Sequence, residues 1–393
     1  MNRPFLIFFK LAAFMAAFCF FLGSNVPEAS AQRHLCKKAS TGCGAATGAA
    51  EEEVDEEEEV EDEVPTTPTA GNVAWSFAGN LTSSSALTTT SSSSSSKTDK
   101  PDVNLTTTKT KKKSGTSYTK TGSLEFDDIE DSRRSCAWIP TEIPLYRKII
   151  RAYYTLKFDS DSDDENGEGT VLAFLPGSTT VSSTLCGGYG EYLGFADRTS
   201  YTAMPEPRFG IEFDTDKTTS MSDPNNNHVA IVADKIKHDG TDSPACPATS
   251  AANDSSSPYG TCWTGSNTTK TKHSKTYSYP WLESSQTHKF RVEMLACAGS
   301  GTTNNCASQG CATTDVYVKT WVCPYKDSSC YNSSSFQSVE SAYAGSAPTV
   351  IERCVPFNQT TYDSLIVGFT YGTSDHSSDT TYGSFAIKTF DAP

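Results

Sequence analysis

Five side chains within seventeen positions have the types and spacing to hold a cation: Glu212, Asp214, Asp216, Asp223 and His228. In an extended strand, side chains two apart share a face, so Glu212-Phe-Asp214-Thr-Asp216 turns its carboxylates one way and Phe213 and Thr215 the other. Asp223-Pro224-Asn225-Asn226-Asn227 is a turn cluster that returns the chain, and His228 then opens the apolar run Val229–Val232. Two strand carboxylates, a loop carboxylate and an imidazole are thereby aimed at one point. Close carboxylates repel unless a cation neutralises them. Oxygen donors with one imidazole suit Mn²⁺ or a similar transition ion, while an all-oxygen site beside it suits Ca²⁺. A solvated acidic strand edge with a surface histidine is the plainer alternative.

These residues need strands to position them. From about Leu124 onward, short alternating segments are separated by Gly, Asn, Asp and Ser clusters, with hardly any helical periodicity. Ile150, Ala152, Tyr154, Leu156 and Phe158 line one face of a strand, with Arg151, Tyr153, Thr155 and Lys157 on the other. Residues 171–175, 209–213, 229–233, 289–295, 316–322, 365–370 and 385–390 read similarly. Eight or more strands over residues 124–393 imply one large, all-β antiparallel sandwich. The Gly/Ser/Thr/Cys stretches at 240–276 and 297–313 are expected as disulfide-bonded loop insertions, where length costs little entropy.

The remaining chain is different in kind. Residues 1–31 read as an export signal: Arg3 and Lys10, an apolar stretch Leu11–Leu22, then Ala29-Ser30-Ala31 as a small-residue cleavage site. No segment is suited to span a membrane, so a secreted, periplasmic or cell-surface location is expected. Thirteen cysteines less Cys19 leave an even twelve, which in that compartment implies structural disulfides of unassigned pairing. Residues 32–123 are acidic and then Ser/Thr-rich, a composition expected to form a disordered linker. Val73–Phe77 within it is a candidate stray strand docked on the later domain. Of the charge behind the net −15, eleven acids lie in residues 51–63, leaving a near-neutral remainder. No basic stripe interleaved with aromatics is present, which argues against nucleic acid as a partner.

The stretch Phe209–Val232 resembles the legume-type (L-type) lectins, of the concanavalin A-like lectin/glucanase fold. They share E-F-D-T, an acid-proline pair and a His that opens an apolar strand, at the same offsets. Further likeness lies in Glu168–Pro176, in the Gly-rich Gly187–Phe195, and in Val367–Gly372 followed by Ser384–Lys388. The resemblance implies a jelly-roll sandwich and a transition metal on Glu212, Asp214, Asp223 and His228. Asp214 and Asp223 would also bridge to calcium, with Asp216 and Thr218 completing its set. It further implies a glycan or glycoconjugate partner bound by Glu168, Gly169, Gly190 and Thr218, with Thr373–Tyr382 as the specificity loop; multivalency is expected from display on a surface or from a homo-oligomer. Tyr189, Tyr192, Tyr201 or Trp263 would stack on the sugar. Three positions depart from the family: Glu168 stands for its Asp, Thr218 for its Asn, and His238 for an outer-sphere Ser. The expected function is binding rather than catalysis. Two alternatives remain: a glycoside hydrolase on the same fold using Glu212-Phe-Asp214-Thr-Asp216, and a surface or adhesion protein that keeps the metal and not the sugar.

Overall fold

The computed structural model describes residues 72–90, 98–112, 115–126, 132–159, 168–197, 204–223, 227–236, 262–263, 268–272, 275–279, 281–298, 306–345, 349–374 and 379–392. Residues 63–393 form one compact unit; residues 1–71, which include the expected signal segment and the acidic run, lie outside the described residues. The strands are β1 (Ala74–Ser76), β2 (Thr88–Thr89), β3 (Asp102–Lys112), β4 (Gly115–Phe126), β5 (Arg134–Trp138) and β6 (Ile143–Pro144). They continue with β7 (Lys148–Asp159), β8 (Gly169–Pro176), β9 (Phe209–Asp214), β10 (His228–Ala233), β11 (Cys262–Trp263) and β12 (Thr268–Lys272). The last are β13 (Lys275–Tyr279), β14 (His288–Ala296), β15 (Val316–Cys323), β16 (Thr349–Val355), β17 (Ser364–Gly372) and β18 (Asp379–Asp391).

They make two eight-stranded sheets. The first runs β16-β15-β14-β7-β18-β4-β3 with β1 on β18, the second β11-β10-β9-β8-β17-β5-β2 with β6 on β17, and β12 and β13 pair separately. Every pairing between named strands is antiparallel. The inner faces meet in an aromatic core: Phe213 of β9 packs edge-on against Phe290 of β14 at 4.7 Å, and Phe369 of β17 against Tyr382 of β18 at 4.8 Å. Burying each such ring contributes about 1.5–3 kcal/mol. The chain is therefore an antiparallel β-sandwich.

One expectation needs correction. The linker expected over 32–123 is folded from residue 74 onward wherever it is described. Trp75 and Phe77 are buried against Phe385, Leu81 and Leu87 join the same core, and β1 pairs with β18 as the Val73–Phe77 pattern suggested. The Thr-rich β3 and β4 form a long ribbon, for which β-branched threonine is well suited. Tyr153, on the face of β7 opposite Tyr154, is buried because Phe336 of the segment after β15 packs edge-on over it.

Among the described residues, four disulfides join Cys136–Cys186, Cys297–Cys306, Cys311–Cys354 and Cys323–Cys330. The crowded cysteines at 297–330 thus staple the loops on either side of β15, as expected for insertions. The second of these loops carries Tyr325, whose amide is used by a buried histidine.

His288 opens β14 and is buried, with Nδ1 accepting the Tyr325 amide at 3.0 Å and Nε2 3.1 Å from Ser284 Oγ. An Nδ1 that accepts carries no proton, so the ring is neutral. Burial pushes its pKa down to about 3. A histidine depressed in the fold leaves stability intact above its unfolded pKa near 6.5 and loses it as pH falls from there toward 3. Between pH 7 and pH 4 this ring costs about 3 kcal/mol. Urea denaturation at both pH values should show that much less acid sensitivity in His288→Gln. Parallel profiles would mean that another group carries the acid sensitivity.

Candidate metal and ligand site

β9 lies between β8 and β10, with Asp214 opposite both His228 and Gly169, and Glu212 opposite both Ala230 and Val171. Alternation sends Ile211 and Phe213 to the core, and places Glu212 and Asp214 on the other face together with His228. Loops cover that face as well, so every residue of β9 and β10 is buried.

Donor atoms of Glu212, Asp214 and His228 lie within 4.8 Å of one another. His228 Nε2 is 3.7 Å from Glu212 Oε2. Burial drives the Asp214 carboxyl well above the usual carboxylate range, and the charges of Asp223, Glu212 and Glu168 drive it further. The sequence predicted this convergence in part. Glu212, Asp214 and His228 come together; Asp223, also buried, borders Asp214 while its Oδ2 accepts the Thr218 amide at 2.8 Å. Asp216 donates its backbone amide to Asp214 Oδ1 at 2.9 Å.

Above this cluster sits a second group. Glu168, just before β8, is buried; its Oε2 is 3.4 Å from Thr218 Oγ1, and its carbonyl accepts the Thr215 amide. Burial pushes its carboxyl up to about 7; a hydrogen bond from Ser374 opposes this, and Asp216 and Glu191 add to it. Of the expected metal set, then, Asp216 and Thr218 face Glu168 with their side chains. Gly190 opens the short 3₁₀ turn Gly190–Tyr192, with φ of 64° and its amide donated to the Thr373 carbonyl at 3.0 Å. That amide is committed within the protein, so Gly190 shapes the rim and lets Ser374 approach.

Glu191 and Ser374 were not singled out by the sequence. Ser374 lay inside the segment read as the specificity loop, of which residues 375–378 lie outside the described residues, as do Tyr201 and His238. Tyr189 and Tyr192 are half-buried, and of Trp263 only the backbone pairing with Val229 is described.

Gly169 has a geometric reason to be glycine. Its φ is 143°, and a Cβ would sit 2.1 Å from the Phe213 carbonyl oxygen. Gly169→Ala should therefore cost about 2–3 kcal/mol in urea denaturation, from backbone strain beside Asp214. An unchanged midpoint would show that the strands part without cost.

Two carboxylates and an imidazole on rigid strands match the donor preferences of a transition ion. Their mutual repulsion in a buried place is the observation that calls for a cation. No curated protein matches the chain. Among solved structures, the lectin from Bauhinia forficata in complex with GalNAc aligns at 12% identity over 82% of this chain and 100% of that one, with a TM-score of 0.43. Griffonia simplicifolia lectin I-B4, in its metal-free form, aligns at 14% identity over 81% and 99%, with a TM-score of 0.42. The family model of the legume lectin domain matches residues 75–273, half of the chain and the part that carries Glu168 through His228, and the chain belongs to that family.

Proposed function

We propose that this protein binds carbohydrate without chemical conversion, through loops ordered by a divalent ion. The reading is carried by one observation: the buried Glu212–Asp214–His228 cluster is joined to the Glu168–Asp216–Thr218 group by the Asp216 amide on Asp214 and by Thr218, which bonds both Asp223 and Glu168. Glu212, Asp214 and His228 would hold a Mn²⁺-like ion with Asp223 beside them, and Asp216, Thr218 and Asp223 would border a Ca²⁺. A bound cation would supply positive charge to these mutually repelling carboxylates. Asp223 then holds the Thr218 amide, Thr218 and Ser374 hold the Glu168 carboxyl, and the Gly190 turn closes the rim. Sugar hydroxyls would meet partners already in place, so ordering entropy is lost before the ligand arrives. Glu168, Gly169, Gly190 and Thr218 are the proposed sugar-site residues, Gly169 and Gly190 through backbone shape.

A glycosidase needs two carboxyl groups at its substrate, whereas Glu212 is fully buried. That burial supports binding over hydrolysis. Export and multivalent display, by oligomers or on a surface, fit weak single sites. No helix among the described residues is long and apolar enough to cross a membrane.

The test is a glycan array and calorimetry on protein loaded with Mn²⁺ and Ca²⁺, then stripped with EDTA. Binding that disappears on chelation and returns with metal is expected; metal-independent binding, or none, sinks the reading. A second reading has its own observation: the Glu168 carboxyl already engages Thr218, Asp216 and Ser374. On that reading the metal-ordered fold serves as a surface protein silent toward sugar, and the pair Glu168→Asp with Thr218→Asn should restore binding.

A further inference from the structure

The turn before His228 ends on Asn227, which is 1% exposed. Asparagine in a turn ordinarily bonds the backbone of its near neighbours. Asn227 reaches much farther. Its Oδ1 accepts the Leu282 amide at 3.0 Å, and its Nδ2 donates to Glu283 Oε1 at 3.4 Å, across 55 and 56 residues of sequence. The segment it grips is anchored to the first sheet. Trp281 and Leu282 lie in the main core, Trp281 packs edge-on against His288 of β14 at 4.9 Å, and Ser284 Oγ lies 3.1 Å from His288 Nε2.

His228 needs such an anchor because it is the first residue of β10. Pairing with Asp214 of β9 holds one side of it. On the other side, β11 pairs with Val229 and Ala230, so that ladder stops one residue short of His228. The clasp on Leu282 and Glu283 takes over where the ladder ends. Fixing Asn227 fixes the His228 backbone about 3.8 Å further on. Only the side-chain torsions of His228 are then left to place its ring nitrogen beside Glu212 and Asp214.

We infer that Asn227 is a positioning residue for the ion, clasping Trp281–Ser284 so that His228 meets Glu212 and Asp214. The inference rests on the metal-ordered reading above. Groups that orient a ligand without touching the ion typically govern 10–100-fold of its affinity. Coupling of this kind is reciprocal. If the clasp places the imidazole for the ion, the ion in turn holds the clasp closed, and the Leu282 amide exchanges its hydrogen more slowly.

The test is a double-mutant cycle on the full chain, with Mn²⁺ affinity measured by calorimetry and by the electron paramagnetic resonance of the free ion. Its corners are the unmodified protein, Asn227→Ala, His228→Gln and the pair; His228→Gln leaves the carboxylates and an amide oxygen to hold the ion weakly. Asn227→Ala should weaken Mn²⁺ binding at least tenfold when His228 is present, and less than twofold in the His228→Gln background. Equal losses in both backgrounds would make Asn227 a support of the fold alone and overturn the inference. Hydrogen exchange supplies the second readout. Mn²⁺ should slow exchange across 281–284 in the unmodified chain and leave it unchanged in Asn227→Ala. Should that variant fail to fold, the unmodified chain still decides: exchange at 281–284 that ignores Mn²⁺ overturns the clasp and leaves the metal site standing. A chain that takes up no Mn²⁺ overturns the metal-ordered reading and the clasp with it.

Discussion

Replacing Asp214 by Asn is expected to reverse the order of stability between stripped and loaded protein. Without metal, Asp214 is a buried carboxylate pressed by Asp223, Glu212 and Glu168, and its carboxyl resists ionisation. Asparagine keeps the shape, drops the charge, and can still accept the Asp216 amide. Stripped Asp214→Asn should therefore be more stable than the stripped parent by about 1–3 kcal/mol, the scale of an ill-solvated buried group. A carboxyl with a raised folded pKa costs nothing while protonated, so this advantage should grow as pH rises. With metal the order inverts. An ion held at 100–1,000 times its Kd stabilises the parent by about 2.7–4.1 kcal/mol, and the variant should keep little of it. Denaturation in EDTA and in Mn²⁺ plus Ca²⁺ gives four numbers whose crossing is the signature. A variant as strongly stabilised by metal as its parent would remove Asp214 from the ligand set.

Much of that cluster is legible in the chain because strand periodicity and one turn suffice to place it. Glu212 and Asp214 share a face by the twofold repeat, and His228 falls opposite Asp214 because the intervening turn returns the strand. The rim is less legible, since Glu191 and Ser374 reach Glu168 from segments far apart in sequence. Ser374 is brought there by the pairing of β17 with β8 and Glu191 by the Gly190 amide's bond to Thr373, neither of which local spacing encodes. The Gly190 amide shows the same limit: sequence likeness places it at the ligand, whereas Thr373 already takes its hydrogen bond. At the other end, β3 and β4 hid in a Ser/Thr-rich tract because low complexity suggests disorder, while threonine itself favours the extended chain. Likewise, alternation puts Tyr153 on the face opposite Tyr154 but does not say what a later segment lays over it.

That later segment supports the second large effect. Residues 324–345 cross the outer face of the first sheet, where Tyr153, Trp321, Phe336 and the Cys323–Cys330 disulfide form their own apolar cluster. Arg291 of β14 is the pin. It is fully buried, its Nη1 donates to the carbonyls of Ser335, Phe336 and Ser338, and its Nη2 donates to that of Ser341. Glu293 neutralises it at 2.7 Å and also accepts the Tyr343 amide. Arg291→Met keeps the stem but leaves four carbonyls and a carboxylate without their donor, a loss on the order of 3–5 kcal/mol. Arg291→Lys should recover only part of it, because one ammonium cannot reproduce the planar fork. Limited proteolysis should then cut within 324–345, while the metal-dependent melting shift stays as in the parent, since Glu212, Asp214 and His228 belong to the opposite sheet. Loss of that shift together with stability would mean that the two faces of the sandwich are coupled through its core.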